Sequence, residues 1–498
     1  MDNKKEQQGG GQGVPFTASL QQNLKAVKAV LPAEDILVHA FRAGDGTPCA
    51  AVYADGITDK KGIAELAVLP LARQDAPRTA EALQKALPYP ETKLPQDVAA
   101  ACQSILAGDA LLLADGVAGA VTLGAKQAAT RAVTEPQTSV TVKGPREGFV
   151  EDIKTNLGLI RKRLPTPALR PETLRVGRHS QTAVCVLYLD GIADAKVAEA
   201  VKARIRAIDI DGVPDSSYIA KFLAQKPLSL FKQAGTTEKP DILCAKLLEG
   251  RVAVLADGSP IALTLPYMLA EDFQSSQDYF VSPYRATVSR LLRLLAVAVS
   301  LLLPAFYVAA QLFKLRLLPF PLLMTISGSI QGIPLSPGLE LFFLLIVLEV
   351  LIEAAVRMPK YVALALSVIG ALVLGDTAVK AGLVSSPAII IVALSGISAY
   401  TVPDLAGTLS VIRLAYVVVA GSLGTYGIVL MTALILYYLV TSDAYGVPLL
   451  APFAPLVGKD LGDAAWKESV YALRTRPAAL RPKNRTRLRL VYRGGKEE

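Results

Sequence analysis

Hydrophobic and polar residues alternate in two different ways along the chain. Up to about residue 285, short apolar runs end at Asp-Gly, as in AAVYADG (50–56) and AVCVLYLDG (183–191), and segments with helical periodicity follow them. Runs of this length that are rich in Val and Tyr predict buried strands. Residues 286–450 consist mainly of apolar stretches long enough to cross a bilayer. The pattern predicts an α/β soluble N-terminal region followed by an α-helical transmembrane domain of four to six spans.

The N-terminal region contains an internal repeat. VYADGITDK (52–60) recurs as LYLDGIADAK (187–196), with the two tyrosines 135 positions apart. GDALLLADGVAGAVTL (108–123) recurs as GRVAVLADGSPIALTL (250–265), with an offset of 142. A strand, an Asp-Gly turn and a second strand in this order predict a hairpin. Recurrence of both segments in the same order indicates a duplicated structural unit.

The repeat predicts two related α/β subdomains, residues 35–143 and residues 172–285, each contributing strands and helices to a mixed sheet. Asp59 and Asp194 follow the first Asp-Gly turn of each repeat, so their carboxylates are placed to cap the helices that begin next. An Asp-Gly turn after a strand can also hold a phosphate or a metal. Because no glycine-rich phosphate loop accompanies these turns, we favour the structural interpretation.

The segment GPREGFVEDIKTNLGLIRKRL (144–164) predicts a connector helix within residues 144–171. Its acids stand early and its bases late, as the helix dipole favours, so we expect the helix to start near Glu147 and to run past Arg163. Its apolar residues form one stripe at helical spacing: Phe149, Ile153, Leu157 and Ile160. The charged face is then either solvated or a docking face for a partner.

Both ends of the chain are predicted to be tails. Residues 1–34 begin with a polar, Gly-rich stretch, lack the apolar run of a signal peptide and are expected to form a disordered leader. Residues 451–498 carry 11 Lys and Arg against five acids, and such an excess beside apolar spans predicts a basic cytosolic tail. With no export signal before the N-terminal region, we place both termini in the cytosol, which requires an even number of spans.

The transmembrane domain, residues 286–450, divides into apolar segments of unequal quality. The candidate segments are 294–313, 317–337, 339–356, 361–379, 386–402 and 412–440. The second is interrupted by prolines and glycines and is typical of a re-entrant or interfacial piece. The last is long enough for a tilted helix or for a helix broken around residues 421–427. Asp404 and Arg413 flank a Gly- and Thr-containing stretch where we expect another break.

Charged residues inside the apolar segments are candidates for function. Residues 294–450 contain only 12 of them, six of each sign. Glu349, Glu353 and Arg357 recur every four positions, so they share one helix face and can pair; they form a candidate gating or subunit-interface strip. Asp376 and Lys380 form a candidate intramembrane pair at the same spacing. The alternative for each set is a purely structural ion pair.

Composition narrows the class of protein. The 498 residues are 52% hydrophobic and 19% charged, whereas a soluble chain carries about a quarter charged residues, so an ordinary cytosolic enzyme and a disordered protein are excluded. The net charge of +9 comes mainly from the basic tail and includes no patch with groove-binding or stacking chemistry, so we expect no nucleic-acid partner.

The residues that carry chemistry are few. Four cysteines and two histidines have no metal-ligand spacing, so small buried apolar cysteines are favoured over a zinc site or disulfides. No nucleophile motif is present, and the acids at 151–152 and 209–211 are typical of helix caps and solvated faces. We expect no cofactor, no metal site and no enzymatic activity.

In their order along the chain, five segments resemble the A subunit of GerA-type spore germination receptors. The segments are GPREGFVEDIKTNLGLIRKRL (144–164), TTEKPDILCAKLLEGRVAVLADGSP (236–260), FQSSQDYF (273–280), EAAVRMP (353–359) and YGVPLLAPFAP (445–455). The resemblance covers about residues 35–460. TEKPD and YGVPLL depart from the family pattern conservatively.

The resemblance implies a multi-pass subunit of a nutrient-sensing receptor in the inner membrane of the spore. It also implies a transporter-like B subunit and a lipoprotein C subunit as partners, a homo-oligomer of the A subunit, and a nutrient-gated ion channel that triggers germination. The alternative is a stand-alone secondary transporter or permease. Such transporters carry two related sets of spans, whereas the repeat seen here lies in the soluble region.

Overall fold

The structure, a computed structural model, describes residues 14–127, 144–313, 320–330, 332–359 and 373–488, with Val362, Val368 and Gly370. The chain divides into an N-terminal unit and a helical unit. The N-terminal unit contains the residues up to Pro227, residues 233–267 and the residues from Arg474 onward. The helical unit contains Leu228–Lys232 and Met268–Leu473. Residues 1–13 of the predicted leader and most of the candidate span 361–379 lie outside the described residues.

The first subdomain is a five-stranded sheet with helices on both faces. Its elements are α1 (Leu20–Val30), β1 (Ile36–Arg42), β2 (Pro48–Ala54), α2 (Lys60–Ile63), α3 (Leu69–Ala72), α4 (Ala80–Ala86), β3 (Thr92–Lys93), α5 (Val98–Leu106), β4 (Ala110–Ala114) and β5 (Val121–Leu123). A π-turn, Ala64–Val68, joins α2 to α3. Because alternate residues of β2 face opposite sides, Cys49 and Ala51 pack with α2–α4, and Ala50 and Val52 pack with α1 and α5.

The second subdomain has the same architecture. Its elements are α6 (Ile153–Arg163), β6 (Leu169–Val176), β7 (Thr182–Leu189), α7 (Ala195–Arg206), α8 (Ser216–Leu223), β8 (Gly235–Thr237), α9 (Pro240–Glu249), β9 (Val252–Ala256) and β10 (Ala262–Leu265). The strand orders are β1–β2–β4–β5–β3 and β6–β7–β9–β10–β8, so corresponding strands occupy corresponding places. The predicted duplication is confirmed, as are the hairpins β4–β5 and β9–β10 at the Asp-Gly turns.

The prediction of a mixed sheet is wrong. Every strand pair in the described residues is antiparallel. β2 and β4 are neighbours, but several helices and β3 lie between them in the chain, so their connection is not the single helical crossover that makes strands parallel. The predicted caps are confirmed: Asp59 accepts from the N–H groups of Lys61 and Gly62, and Asp194 accepts from that of Lys196.

Helix α1 is the counterpart of α6, so each repeat begins before its first strand. The Asn23 carboxamide accepts from the N–H of Thr17 (2.9 Å) and donates to the carbonyl of Thr17 (2.7 Å). Asn156 makes the same two bonds to Val150, at 2.8 and 2.5 Å. Both asparagines are buried. Each thereby fixes the chain that enters its helix.

The prediction of a disordered leader over residues 1–34 is wrong for residues 14–34. Leu20 and Val27 are buried in the core of the first sheet. The N–H of Leu20 donates to Asp115 in the hairpin turn at 2.9 Å, and Ile153 makes the corresponding bond in the second subdomain. The sequence signal is weak because α1 and α6 share only two dipeptides in register, Asn-Leu and Leu-Pro, at an offset of 133.

Helix α6 joins the two subdomains through a buried ion pair. Arg161 Nε lies 2.7 Å from Asp35 Oδ2, Arg161 Nη2 lies 2.8 Å from Asp35 Oδ1, and both side chains are buried. Beside them Gly158 lies against Gly56, where a Cβ on residue 158 would come within 2.5 Å of the Gly56 carbonyl oxygen. Only a glycine permits this approach of the helix to the turn.

The connector helix is shorter than predicted. Asp152 caps it by accepting from the N–H of Thr155, so the helix begins at Ile153 and not near Glu147. Residues 169–171 of the predicted connector belong to β6. A solvated or partner-docking face was expected for the charged side, but the charge of Arg161 is neutralised inside the N-terminal unit.

The prediction that residues 451–498 form a separate basic tail is also wrong for the described part. Residues up to Leu473 belong to the helical unit and those from Arg474 onward to the N-terminal unit. The N–H of Lys483 donates to the carbonyl of Ile192 at 2.9 Å, and in the first subdomain Gln127 makes the corresponding bond to Ile57. The C-terminal residues thus complete the second subdomain as the residues after β5 complete the first.

All four cysteines are buried and unpaired in the N-terminal unit. Burial raises the pKa of the Cys185 and Cys244 thiols to about 12, and that of the Cys49 and Cys102 thiols to about 11. The interpretation as small buried apolar residues is confirmed. Because a reactive thiolate forms only when such a thiol becomes exposed, these cysteines report opening of the N-terminal unit.

The helical unit is built mainly from apolar helices. Its elements are two 3₁₀ turns (Leu269–Phe273 and Ser276–Tyr279), α10 (Pro283–Phe313), α11 (Phe320–Ile330), α12 (Pro337–Arg357), the π-turn Val373–Thr377 with the helical turn Ala378–Lys380, α13 (Ser386–Ala399), α14 (Pro403–Val440), β11 (Asp443–Ala444), β12 (Val447–Pro448) and a 3₁₀ turn (Gly458–Asp463). In the described residues, α10 and α14 are long and apolar enough to cross a membrane, and α13 is a shorter apolar helix. The segment expected to be re-entrant or interfacial contains α11.

Helix α14 is broken at Gly424, which has φ +62° and ψ −145°. The break folds the helix back on itself, because the hydroxyls of Tyr416 and Thr432, eight residues on either side, lie 2.8 Å apart. The ring of Phe313 packs against Gly424, and its nearest atom would be 2.9 Å from a Cβ there. Of the two alternatives for this segment, a tilted helix and a helix broken around residues 421–427, the structure has the broken helix.

The two arms of α14 end at the same place. The Thr408 hydroxyl donates to the Leu230 carbonyl at 2.8 Å, and the Tyr438 hydroxyl donates to the Ser229 hydroxyl at 2.7 Å. A straight helix would separate residues 408 and 438 by about 45 Å. Both arms therefore return to the short loop Leu228–Lys232, and α14 is a helical hairpin.

We expect Arg161→Met to destabilise the N-terminal unit by about 3–5 kcal/mol, because it leaves the Asp35 carboxylate buried without a counter-charge. The measurement is the rate at which a maleimide labels the four native cysteines of the full-length protein. Lys162→Met is the matched control, since it removes an exposed charge 3.8 Å from Glu147 and should cost below about 1 kcal/mol. Equal labelling rates in the two variants would contradict the structural role of the buried pair.

Gly424→Ala should lower the thermal stability of the helical unit, because a left-handed backbone costs an L-residue about 1–2 kcal/mol and the new Cβ meets Phe313. Gly421→Ala is the control: its Cβ would lie 3.8 Å from Val308, and alanine favours helix by up to about 1 kcal/mol. The full-length protein in detergent is heated, and the fraction that stays monodisperse is followed. A Gly421→Ala protein that is lost as early as Gly424→Ala would argue against the hairpin turn.

Candidate functional site

A buried arginine lies at the centre of the helical unit. Arg413 on α14 is only 1% exposed. Its Nη2 donates to Glu349 Oε1 on α12 at 2.6 Å, and its Nη1 donates to the Ser395 hydroxyl on α13 at 3.0 Å. The Ser395 hydroxyl donates in turn to the Ser300 carbonyl on α10 at 2.8 Å. We call these four residues the polar seam, since they join four helices through one charged network.

Contacts on either side of the polar seam set the directions of the helices. Glu340 on α12 accepts from the N–H of Ser385, just before α13, at 2.5 Å. Eight residues further along α12, Leu348 packs against Gly396. The first contact joins the start of α12 to the start of α13, and the second joins later positions of the same two helices. The two helices therefore run parallel.

The opposite direction is taken by α10 and the first arm of α14. Gly338 at the start of α12 lies beside Val308, Leu312 and Gly421, which are late in α10 and in the first arm of α14. The start of α12 is therefore near the turn of the hairpin, while the seam residues Ser300 and Arg413 lie further from that turn, near the middle of α10 and of the first arm of α14. The polar seam thus lies between the hairpin turn and the loop that receives the arms.

The polar network of the helical unit is incompletely satisfied. Among the described residues, Arg413 Nε, the Ser300 hydroxyl and Glu340 Oε2 have no hydrogen-bond partner. A buried polar atom without a partner costs about 1–3 kcal/mol. Two of these atoms, Arg413 Nε and the Ser300 hydroxyl, belong to the polar seam itself.

A second charged cluster holds the loop Leu228–Lys232. Lys232 Nζ lies 2.7 Å from Asp272 Oδ1 and 3.0 Å from Asp404 Oδ2. Burial alone would lower the pKa of Lys232, but the two carboxylates raise it above its ordinary value, so the ammonium stays charged. Phe231 is buried and stacks on the ring of Tyr438. We call this arrangement the loop clamp.

The loop clamp ties parts of the chain that are distant in sequence. Residues 228–232 lie in the chain between Pro227 and Gln233, which both belong to the N-terminal unit. Asp404 and Tyr438 belong to the two arms of α14. The loop clamp therefore fastens both arms of α14 to one short loop.

The structure divides the predicted strip Glu349, Glu353 and Arg357. Arg357 Nε donates to Glu353 Oε1 at 2.6 Å, and both side chains are largely exposed. Glu349 faces Arg413 instead. Lys380 pairs with Asp376 at 2.7 Å, and this pair is exposed as well. The i, i+4 pairs form as predicted, and their gating or interface role stays a prediction.

Sequence reasoning missed the principal partner of Glu349. Asp404 and Arg413 were expected to flank a break, but α14 is helical from Pro403 to its turn at Gly424, and the two residues belong to the loop clamp and the polar seam. A lone arginine in the apolar run VIRLAYVVV was the available signal. Nothing in the sequence pointed to Lys232, whose partner on α14 is 172 positions away.

Comparison with known proteins identifies one family along most of the chain. The family model described as Bacillus/Clostridium GerA spore germination protein matches residues 22–479. Spore germination protein KA of Bacillus subtilis (strain 168) is 32% identical over 95% of this chain and 89% of its own length. Spore germination protein B1 of the same organism is 30% identical over 95% of this chain and 99% of its own length. Spore germination protein GerQA of Bacillus cereus is 34% identical over 84% of this chain and 85% of its own length.

One solved structure is also similar. It is the crystal structure of the N-terminal domain of the A subunit of the Bacillus megaterium spore germinant receptor GerK3. It is 26% identical, covers 52% of this chain and 98% of its own, and superimposes with a TM-score of 0.41.

We expect Glu349→Gln to destabilise the helical unit by about 3–5 kcal/mol, because Arg413 remains charged and buried with its counter-ion removed. Glu353→Gln is a matched control: it makes the same change four residues along the same helix, in an exposed pair worth at most about 1 kcal/mol. Thermal loss of monodisperse full-length protein in detergent measures both.

The double variant Glu349→Gln/Arg413→Met should be more stable than Glu349→Gln alone, since it removes the uncompensated charge as well. If Glu349→Gln melts like Glu353→Gln, the polar seam does not hold the helices together.

Proposed function

The chain belongs to the GerA family of spore germination proteins, and we propose that it is the membrane subunit, of the A type, of a nutrient-sensing germination receptor. The observation that carries this proposal is the family match over residues 22–479, which includes both units. The match to spore germination proteins KA and B1 extends over 89% and 99% of their own lengths. The alternative of a stand-alone secondary transporter is not favoured, because the duplication lies in the N-terminal unit and not among the apolar helices.

We propose that the helical unit crosses the membrane of the spore six times. The contacts support this count, because α10 runs toward the hairpin turn, α12 and α13 run away from it, and α14 runs to it and back. These are five crossings. For the sixth crossing we keep the candidate span 361–379 of the sequence analysis, most of which lies outside the described residues.

An even count places both ends of the helical unit on the same side of the membrane. In agreement with this, Arg290 near the start of α10 pairs with Asp463 after the last helix at 3.2 Å. We place this side in the cytosol, since residues 451–498 carry 11 Lys and Arg against five acids and basic residues beside apolar spans favour the cytosolic side. The short α11 then remains an interfacial or re-entrant piece near the hairpin turn.

The proposed mechanism is a shift between two packings of the helical unit. Nutrient binding in a transporter-like B subunit, with a lipoprotein C subunit in the complex, would favour one packing by its higher affinity for that state. An oligomer of this chain would open an ion channel in that packing and so trigger germination. The polar seam and the loop clamp, which hold the arms of α14, are the contacts that such a shift would rearrange.

The exposed ion pairs are the proposed contacts for gating or for neighbouring subunits. Glu353–Arg357 and Asp376–Lys380 lie on the surface of the helical unit. Charged pairs on the surface of membrane helices are placed against water, headgroups or protein and not against lipid chains. A pore or a subunit interface satisfies this requirement.

Charge reversal tests this function. In spores that carry this chain as the only copy, Glu353→Lys should abolish nutrient-triggered ion release, because the introduced ammonium repels Arg357, while immunoblots show normal accumulation in the spore membrane. The exchanged pair Glu353→Arg/Arg357→Glu restores the local attraction. Recovery of the response in the exchanged pair would indicate an ion pair with a structural role. Continued loss is the expected result, because a gate or a subunit interface requires the negative charge at position 353 and the positive charge at position 357.

An unchanged response of Glu353→Lys spores, with normal accumulation, would contradict the role of this strip. Spores that lack the chain altogether and still respond normally to every nutrient tested would contradict the receptor function itself.

A further inference from the structure

Exposed aromatic and apolar side chains surround the start of α10. They belong to two segments of the helical unit, one leading into α10 and one following the last helix. We call them the aromatic collar, and its members are Tyr279, Phe280, Tyr284, Trp466, Val470 and Tyr471. Tyr284 is 86% exposed and Trp466 is 43% exposed. Large side chains grouped in this way on a surface mark an interaction site.

The two segments of the aromatic collar are fastened to each other. The N–H of Lys467 donates to the Thr287 hydroxyl on α10 at 3.0 Å, and Lys467 Nζ lies 3.8 Å from the ring centroid of Tyr279. The Tyr279 hydroxyl donates to Asp463 Oδ2 at 3.1 Å. Trp466 is adjacent to Lys467 in the chain, so its height along α10 is fixed close to Thr287.

This height is where the exposed surface of α10 changes from polar to apolar. Tyr284 and Arg285 are exposed before Thr287. After it the exposed residues are Val288, Leu291, Leu292, Leu294 and Leu295. The aromatic collar is therefore continuous with the apolar face of a helix that is long enough to cross a membrane. Tyr and Trp concentrate at such borders, since their rings are amphipathic.

The cationic side chains at the same height are neutralised inside the protein. Arg293 binds the Asp278 carboxylate through two bonds of 2.8 and 2.9 Å, and Arg290 Nε adds a third at 3.1 Å. Burial alone would raise the pKa of Asp278, but hydrogen bonds from Arg293, Ser275 and Arg290 hold it below its usual value. The carboxylate stays ionised, and Arg290 Nη2 lies 3.2 Å from a second carboxylate oxygen, Asp463 Oδ1, so each arginine has an anionic partner inside the protein.

We propose that the aromatic collar sits in the headgroup layer of the membrane and anchors the start of α10 and the segment 463–471 at one depth. The occupant of this surface is lipid, because the collar continues the apolar face of α10 without interruption. The proposal rests on the membrane placement of the helical unit described under the proposed function, but on no step of nutrient sensing. It assigns a membrane contact to a stretch that follows the last helix and contains no span.

The chain provides its own probe, since Trp466 is its only tryptophan. The full-length protein is reconstituted into phosphatidylcholine–phosphatidylglycerol vesicles whose acyl chains carry bromine either near the headgroup or near the chain end. We expect the fluorescence of Trp466 to be quenched more strongly by the shallow bromines than by the deep ones. Aqueous iodide should quench it weakly.

Two variants make the result decisive. In Trp466→Phe/Tyr471→Trp, the new tryptophan should show the same preference for shallow bromines. In Trp466→Phe/Leu295→Trp, the tryptophan on α10 should be quenched best by deep bromines. As a control, Trp466→Phe/His39→Trp places the probe on strand β1 of the N-terminal unit and should respond to iodide alone.

Quenching of Trp466 by iodide with no response to brominated lipid would overturn the proposal, as would shielding from both quenchers, which would assign the collar to a second copy of the chain or to a partner protein. If Leu295→Trp still responds to deep bromines in that case, the membrane placement of α10 survives and only the collar assignment fails. If Leu295→Trp also ignores the lipid, the placement of the helical unit fails with it.

Discussion

A guanidinium charge inside a bundle of apolar helices has to be neutralised, and Arg413 is the residue around which the helical unit is arranged. Its carboxylate partner, Glu349, comes from α12, and its hydroxyl partner, Ser395, comes from α13. The helices can satisfy the arginine only with these faces turned inward, so one charge restricts the rotation and the height of three helices at once. The fold at Gly424 brings the second arm of α14 back alongside the first, where the Thr432 and Tyr416 hydroxyls meet.

A buried ion pair has the same role in the N-terminal unit. The two subdomains are copies in strand order, in caps and in the asparagine that fixes each helix entry, yet only α6 docks on a neighbouring subdomain. At the positions of Gly158 and Arg161, α1 carries Lys25 and Lys28, which are exposed. A side chain at the position of Gly158, such as that of Lys25, would prevent close contact of the helix with a turn. Of the two copies, α6 is therefore the one that can pack against the neighbouring subdomain.

Local patterns predicted the parts of the structure that depend on neighbours in sequence. The Asp-Gly hairpins, the caps at Asp59 and Asp194, the i, i+4 pairs and the break near residue 424 all follow from residue type and spacing. The order of the helices in space and the antiparallel sheets do not. The carboxylate partners of Arg413, Lys232 and Arg161 do not either, because they lie 64 to 172 positions away. The predicted leader and tail show a related limit: their polar composition conceals residues such as Asn23 and Lys483, whose contacts are made only in the folded repeat.

The hairpin of α14 is the element on which the loop clamp and the even count of crossings both depend. The most direct test is a pulsed electron paramagnetic resonance distance between spin labels at Thr401→Cys and Thr441→Cys, which flank the helix; the native cysteines are buried and label slowly. Arms packed with their axes about 8–10 Å apart place the labels within roughly 25 Å, whereas a continuous helix would separate them by about 60 Å. The pair Thr401→Cys and Ser422→Cys, both on one arm, should give about 32 Å in either case. A long distance between 401 and 441 would contradict the account, and a short one is what it predicts.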